Sequence, residues 1–539
     1  MEFRRTPEMV GRLQDQAPAR QDQGLQRIVR LALEYWLLPV LLLAALTRYY
    51  DLTAAAIWGD EGSSLLLSQY SLAQIWFHAA HDVHPPLYFM LLHGWTELFG
   101  DGIFSVRHFS ALPGMLSVVL GMWLVGLIAT RRAAILAGVL LALLPTAVRY
   151  SQEVRMYALL GALLLGATLA LVYWVREPGR RRYLLIYTLL MSLGFYTHYF
   201  TAFCVLAHWL YLAGLGKDAR TGRRLVARPD WWLANSAIVL LFLPWLPELL
   251  DLLQHLDELK ANGDVGWEPP VTLASLPAMV WQWLIQDEGD ALPWPVFIGL
   301  PLLLLLVCTW LAWRDHSPGR FGRLLVSYTL LPLLLVFAVS YASPVFIERY
   351  LTAYALGLPL IMAIVIDRWL KPARWAALAL LVLFVGTEGV GLKNNIDVDP
   401  NDQINAMVDY VNVRYAEGDR IVISDMLWYL SYLYYNRTDA EPMLYTPPLP
   451  GGASSRPNSY GFGTLVEQPE QVYLDQLSAL PVGSGRVWLV GSDDQTEEFA
   501  PVPANWHKVS EFAAGSTRAR LFVLCGSPSA GQLSGVHCP

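Results

Sequence analysis

The sequence predicts an α-helical polytopic membrane protein of about eleven spans, followed by a C-terminal α/β domain outside the bilayer. Three observations predict it. The hydrophobic set makes up 55% of the 539 residues and charged residues only 15%, against roughly 25% charged in soluble domains. Apolar runs approaching the roughly 20 residues needed to cross a hydrocarbon core recur from residue 31 to 392. Beyond about Asn394 the chain turns polar, and strand-like and helix-like patterns alternate.

The expected spans lie near 31–48, 111–129, 133–149, 156–175, 183–197, 199–215, 231–250, 294–313, 324–342, 351–367 and 374–392, with a tight turn at Tyr196-Thr197-His198. Lys and Arg concentrate in the cytoplasmic connections of inserted helices. Here they fill alternate loops: Arg131 and Arg132; Arg176 and Arg180 to Arg182; Lys217, Arg220, Arg223, Arg224 and Arg228; Arg314, Arg320 and Arg323; Arg368, Lys371 and Arg374. The intervening loops hold only Arg48, Arg107, Arg149, Arg155, Lys260 and Arg349. Residues 1–30 are basic as well, so this segment is expected in the cytoplasm, and eleven spans carry the C-terminus to the other side. It stands too far from the first span to read as a cleaved signal peptide. The division is therefore 1–30, a membrane domain 31–392, and an extracytoplasmic domain 393–539. In the last, DQINAMVDYVNVRYA reads as an amphipathic helix, RIVISD as a buried strand, LWYLSYLYY as a helix, and RVWLVGS and ARLFVLC as strands. Cys204 and Cys308 fall in apolar runs, and no CxxC pair suggests zinc or redox chemistry. Cys525 and Cys538 would suit a disulfide in an oxidising compartment, although spacing does not fix the geometry. Neither GxGxxG nor a P-loop lysine motif occurs, and no nucleic-acid partner is expected.

This topology gathers the notable ionisable residues on one face. Asp60, Glu61, Asp82, His84 and Arg107 lie in the first outer loop, Glu153 and Arg155 in the second, His198 at the third, and Arg349 with Tyr350 just before a late span. Ionisable groups at span ends are costly and often functional. Each has a plainer reading: Asp60-Glu61 as first-turn acids of a helix through SSLLLSQYS, Glu153–Arg155 as a surface ion pair, His84 before Pro85-Pro86 as a turn residue, and Arg349 as an interfacial arginine. Arg149 reads as a headgroup anchor, and the Trp and Tyr residues as aromatic belts. Taken together, the set suits sugar transfer from a lipid phosphate. A carboxylate takes the proton of an attacking hydroxyl, and guanidinium forks hold the departing phosphate. Asp60 and Glu153 fit the first role; Arg349, Arg107, Arg155 and His84 fit the second.

The motifs IWGDEGSS, DVHPPLYFMLLHGWTELFGDGIFSVRHFSALPG, YSQEVRMYALL, GFYTHYF and PVFIERYL resemble, in order and on one membrane side, those of the GT-C glycosyltransferases. The resemblance covers roughly residues 31 to 392. The branch is that of the dolichyl-phosphate-mannose protein mannosyltransferase-like and lipid A aminoarabinose transferase-like enzymes. It implies a polytopic inverting transferase using polyprenyl-phosphate sugars, with Asp60 as the base and Glu153 assisting it. Glu153 departs from the Asp of some members. The resemblance further implies that Arg349 of the Arg349-Tyr350 pair holds the lipid phosphate and that the His84-Pro85-Pro86 segment lines the cavity. Glu61, Arg107, Arg155 and His198 complete the expected substrate-binding set. No resident cofactor or metal is expected, although Asp60, Asp82 and Glu153 offer oxygens for a divalent ion.

The expected function is transfer of one sugar from a polyprenyl-phosphate donor to a hydroxyl of a lipid, glycan or protein on the extracytoplasmic face of the plasma membrane. The partners are the bilayer, that donor and that acceptor. A transporter or flippase would place polar groups along the spans near the midplane, where this sequence is clean. A non-catalytic scaffold would need the C-terminal domain and dispense with Asp60. Block transfer of an oligosaccharide is a closer alternative.

Overall fold

A computed structural model describes residues 35–216, 222, 224–262, 270–396, 403–466, 468–480, 485–492, 498–499 and 501–524. The basic segment 1–30, Lys217, Arg220 and Arg223, and Cys525 and Cys538 lie outside them.

The described residues of the eleven expected spans are mostly helical, but the helices differ in reach. Among the described residues seven segments are long and apolar enough to cross a membrane: α5 (Ile103–Ile128), α8 (Tyr157–Arg176), the run Pro229–Gln254, α15 (Trp294–Arg314), α16 (Phe321–Val339), the run Glu348–Trp369, and α19 (Arg374–Ile396). The others are shorter: α1 (Tyr35–Tyr49), α6 (Arg131–Leu143), α9 (Arg182–Thr197) and α10 (Thr201–Ala213). The expected span 133–149 is divided because Pro145 lacks an N–H and its ring clashes with the preceding turn. It starts a new helix instead, α7 (Pro145–Arg149), with the proline in the first turn. Two side chains of α1 satisfy carbonyls that this break releases. Thr47 Oγ1 donates to Ala142 O at 2.9 Å, and Arg48 donates to Ala142 O at 3.1 Å and Leu141 O at 3.4 Å. Arg48 is fully buried and serves the fold, not a ligand.

Proline also interrupts the run from Pro229. The helix α11 (Pro229–Phe242) passes through one 3₁₀ turn into α12 (Leu246–Gln254), followed by α13 (Leu256–Asn262). The late run comprises α17 (Glu348–Ala355) and α18 (Gly357–Trp369). It forms the centre of the bundle together with α8: 94% and 83% of their apolar windows are buried.

The outer loops are themselves helical. The first carries α2 (Gly59–Ser68), α3 (Leu72–Ala80) and α4 (Leu87–Phe99), and the long loop before α15 carries α14 (Ser275–Ile285). The acids of Asp60-Glu61 do lie in the first turn of α2.

The C-terminal domain is α/β. Helices α20 (Ile404–Arg414) and α21 (Met426–Tyr435) pack with six strands: β1 (Arg420–Ile423), β2 (Met443–Tyr445), β3 (Tyr473–Leu474), β4 (Arg486–Ser492), β5 (Trp506–Ala514) and β6 (Thr517–Leu524). The sheet order is β3-β2-β1-β4-β6-β5. β3, β2, β1 and β4 run parallel, β6 pairs antiparallel with β4, and β5 pairs antiparallel with β6. The two expected helices and the strands β1, β4 and β6 are present. β2 and β3 are too short to leave a pattern, and edge strand β5 carries polar residues such as His507, Lys508, Ser510 and Glu511.

This domain is not a loose appendage. One hydrophobic cluster runs from Ile57, Leu65 and Phe89 of the first outer loop into Met407, Ile421 and Leu430 of the domain. Helices α2 and α21 touch backbone to backbone. A Cβ at Gly59 would come within 2.7 Å of Leu427, and one at Gly62 within 2.7 Å of the Leu430 carbonyl. Tyr435 accepts the Ile57 N–H on its hydroxyl at 2.8 Å.

Candidate active site

Asp60 sits at the second residue of α2, where the helix dipole favours an anion. Its side chain faces α17. Arg349 Nη1 lies 3.0 Å from Asp60 Oδ2, and Arg155 Nη2 lies 3.9 Å from the same oxygen. Residues 289 positions apart thus meet. The Arg349 guanidinium also stands over the rings of Trp58, at 6.0 Å, and Tyr350, at 5.9 Å.

Arg155 ties the second outer loop to the first. It donates to the Asp60 carbonyl at 3.2 Å and to Ser64 Oγ at 3.3 Å, and approaches His84 Nε2 at 3.5 Å. Its Nε is buried without a hydrogen-bond partner. Burial, the largest single effect, works to lower the basicity of Arg155, but the surrounding groups, Asp60 first and then Tyr157 and Asp82, together raise it. On the far side of His84, Nδ1 faces Asp82 Oδ2 at 3.6 Å. Burial pushes His84 below its ordinary value, against the pull of Asp82. His198 is driven further down, by burial and then by the neighbouring His84. Both rings are therefore neutral at pH 7. Burial works to raise Asp82, but the His84 bond and charge leave it below the usual carboxylate range. His84, His198 and Tyr350 form an aromatic cluster, with His198 and Tyr350 centroids 5.1 Å apart and His84 and His198 centroids 5.7 Å apart.

Glu61 points the other way. Its oxygens take Arg107 Nε at 3.0 Å and Nη2 at 2.7 Å, and Oε1 also takes the Val154 N–H at 2.9 Å. Arg107 uses its remaining donors on the carbonyls of Leu52, Ala55 and Ala56. The pair is buried on both sides and its groups are committed to one another. It locks the first outer loop to α5 and to the Glu153 loop, beside the Asp60 cluster.

Glu153 stands on the rim of a separate cavity of about 900 Å³ that reaches Trp58, Glu61 and Arg107. Its Oε1 takes Arg149 Nε at 3.4 Å, while Oε2 is buried with no hydrogen-bond partner. Burial lifts its carboxyl to about 7, against the Arg149 charge. Arg149 is thus a partner of Glu153 and of Gln286, at 3.2 Å, not a headgroup anchor. Among the described residues Lys260 pairs with exposed Asp257.

Among the described residues no group of three or more His, Cys, Asp or Glu is arranged to hold a metal ion. The three acids considered for that role have separate partners: Arg349 for Asp60, His84 for Asp82 and Arg149 for Glu153.

Sequence reasoning missed several neighbours. Trp58 was assigned to the aromatic belts, although it stands two residues before Asp60 in the quoted motif. Glu348 precedes Arg349; its carboxylate takes the Tyr150 hydroxyl at 3.0 Å and Gln286 Nε2 at 2.7 Å, which anchors the start of α17. Gln286 has no sequence signal at all. It ends α14, and α14 separates two clefts. On one side is the 900 Å³ cavity, lined in part by Gln286. On the other is an apolar cleft of about 230 Å³, where Leu276, Val280 and Trp283 face α15, α16 and α18.

Residues 83–247 match the dolichyl-phosphate-mannose-protein mannosyltransferase family. No curated protein matches the chain significantly. Among solved structures, ArnT from Cupriavidus metallidurans in the apo state is similar at a TM-score of 0.62 and 14% identity, over 91% of this chain and 98% of that one. The same protein bound to undecaprenyl phosphate gives 0.59 and 13%, over 90% and 98%. The archaeal oligosaccharyltransferase AglB from Archaeoglobus fulgidus, in complex with an inhibitory peptide and a dolichol-phosphate, gives 0.51 and 12%, over 91% and 74%.

Proposed function

We propose that this chain, a multi-pass membrane protein with the GT-C fold of ArnT, is an inverting glycosyltransferase. It moves a sugar from a polyprenyl-phosphate donor to an acceptor hydroxyl on the extracytoplasmic face. One observation carries the reading: the Asp60 carboxylate meets Arg349 at 3.0 Å, with Arg155 at the same oxygen. The family match at 83–247 and the undecaprenyl phosphate and dolichol-phosphate in the structural neighbours support it.

In this mechanism the donor phosphate binds between Arg349 and Arg155, whose forks match phosphate oxygens. The apolar cleft beside α14 suits the polyprenyl chain. The phosphate takes over Arg349, and Asp60 is left to act as general base. Asp60 accepts the proton of the acceptor hydroxyl as its oxygen attacks the anomeric carbon. The bond from that carbon to the phosphate oxygen breaks, and the two arginines take up the charge of the leaving polyprenyl phosphate. A single displacement inverts the anomeric configuration. Glu153 takes a hydrogen bond from the acceptor and orients it. Glu61 and Arg107 hold the loops in place. His84, His198 and Tyr350 wall the pocket.

The test is transfer by the purified chain in a bilayer, with the lipid-linked sugars of its host as donors. Asp60→Asn is expected to slow transfer about 10²–10⁴-fold, the usual contribution of a general base. Arg349→Ala is expected to cost about 10²–10³-fold. Full activity of Asp60→Asn would overturn the assignment.

A further inference from the structure

Helix α14 ends on a residue that its backbone alone would not select. Gln286 closes the helix in the left-handed region, at φ 57° and ψ 37°, where glycine is the usual occupant because a Cβ is crowded there. A side chain kept in such a conformation points to a use. Docking of the helix end does not require it. Gly391 of α19 lies so near the Leu284 carbonyl that a Cβ would stand 2.4 Å from it, and Asn394 donates to the Ile285 carbonyl at 2.7 Å. These contacts hold the end of α14 against α19 through backbone atoms.

The side chain makes three bonds that only an amide can make together. Its Nε2 has two hydrogens. One goes to the Gln282 carbonyl at 2.7 Å and the other to Glu348 Oε1 at 2.7 Å. Its Oε1 takes Arg149 Nη1 at 3.2 Å. Turning the amide over would set its oxygen against a carbonyl and a carboxylate and its N–H groups against a guanidinium, so the partners fix its orientation. The neighbours close a circuit. Tyr150, next to Arg149, donates to Glu348 Oε2 at 3.0 Å, so α7 and α14 together hold both oxygens of this buried carboxylate. Each end of the circuit reaches the candidate site. Arg149 Nε holds Glu153 Oε1 at 3.4 Å. Glu348 is followed, in the first turn of α17, by Arg349, which meets Asp60. The adjoining acid, Asp287, turns instead to the Gly289 N–H at 2.6 Å.

We infer that Gln286 is a positioning residue of the transfer: it ties the arginine that holds Glu153 to the carboxylate that sets Arg349, so that the acid and the phosphate-binding arginine keep one fixed relation. It acts through Arg149 and Glu348, not on the reacting atoms. The role in transfer rests on the transferase reading, whereas the bridge rests on the geometry alone.

Gln286→Gly separates this role from that of a structural plug. It relieves the left-handed backbone and removes the bridge. The melting temperature should hold or rise, while transfer by the purified chain falls about tenfold. A lower melting temperature or undiminished transfer would overturn the proposal. A second arm needs no turnover: binding of undecaprenyl phosphate to the full chain in nanodiscs, read by calorimetry. Gln286→Glu keeps an acceptor for Arg149 but sets two carboxylates face to face. It should displace Arg349 and weaken binding about tenfold. With Glu348→Gln also present, the same change should cost less than about twofold, because the bridge forms again with donor and acceptor exchanged. Gln286→Lys keeps a donor for Glu348 and repels Arg149, so it should slow transfer without weakening lipid binding. An equal cost of Gln286→Glu in both backgrounds, as a charge acting at a distance would give, counts against the bridge, and so does equal weakening by Gln286→Glu and Gln286→Lys. A wild-type chain that neither binds undecaprenyl phosphate nor transfers would sink the transferase reading. A wild-type chain that does both, with the Gln286 variants unchanged, would sink the bridge alone.

Discussion

Asp60 Oδ2 is shared by two guanidiniums, and in the proposed mechanism it becomes a base only on losing one of them. On that proposal the arriving phosphate and Asp60 compete for Arg349. Removing the charge at Asp60 therefore has two opposite effects: transfer falls, while the affinity for polyprenyl phosphate rises. Asp60→Asn is expected to bind that lipid roughly tenfold more tightly, about 1.4 kcal/mol, as read by calorimetry in nanodiscs. Equal or weaker binding would mean that Arg349 is not released by the ligand. Glu153 carries a second signature. Its carboxyl rises from the ordinary 4.5 to about 7 through burial. Across that window the unfolded chain releases a proton that folded Glu153 keeps, so stability falls as pH rises from 4.5 to about 7. Glu153→Gln should remove this slope in melting temperature, and an unchanged slope would place its origin elsewhere. At this scale the sequence singled out Asp60 and Arg349 because each sits beside a span end, where an ionised group is costly, and the structure brings the two together. It did not show that Glu61 and Arg107 pair, because residue type does not tell which opposite charges meet.

At the scale of elements, the long spans were legible because about 20 apolar residues have few other uses. The short spans were legible too, as with α9 and α10; what the sequence did not show was the break inside 133–149, because a proline and its buried caps decide where that helix stops. The break between α6 and α7 shows this: Pro145 makes it, and Thr47 and Arg48 make it tolerable by bonding the freed carbonyls. Arg48→Met keeps the length of the side chain and removes its donors. It should destabilise the chain by about 1–3 kcal/mol, the cost of unsatisfied buried carbonyls. Denaturation monitored by tryptophan fluorescence would measure this, and a neutral effect would show that the carbonyls find other partners. Among the helices of the outer loops, α2 was anticipated through SSLLLSQYS, but α3, α4 and α14 were not. α14 has not the length of a span, and its faces are set by partners distant in sequence.

For the whole molecule, the alternation of basic loops put the candidate site residues on one face, but it said nothing of how the C-terminal domain is joined to it. That joint is a shared core and a close helix pair, with Gly59 and Gly62 permitting the contact of α2 with α21. The helix that bears Asp60 is thus held on its outer side by the domain. A chain ending after Ile396 should reach the membrane but lose transfer, and its first outer loop should become open to added protease. Retained activity would show that α2 needs no such support. Gly62→Leu tests the same joint in the full chain: overpacking there should cost about 1–3 kcal/mol and slow transfer, although residue 62 touches no substrate.

The placement of α14 between an apolar cleft and the wider cavity has a kinetic consequence. In the proposed transfer, a donor chain in the cleft and an acceptor in the wider cavity approach from opposite flanks of one helix and need not queue behind each other. Either can board first, and the spent carrier can depart while the new glycoside is still seated. Initial rates at varied concentrations of both should then give intersecting double-reciprocal lines, with neither substrate obliged to lead.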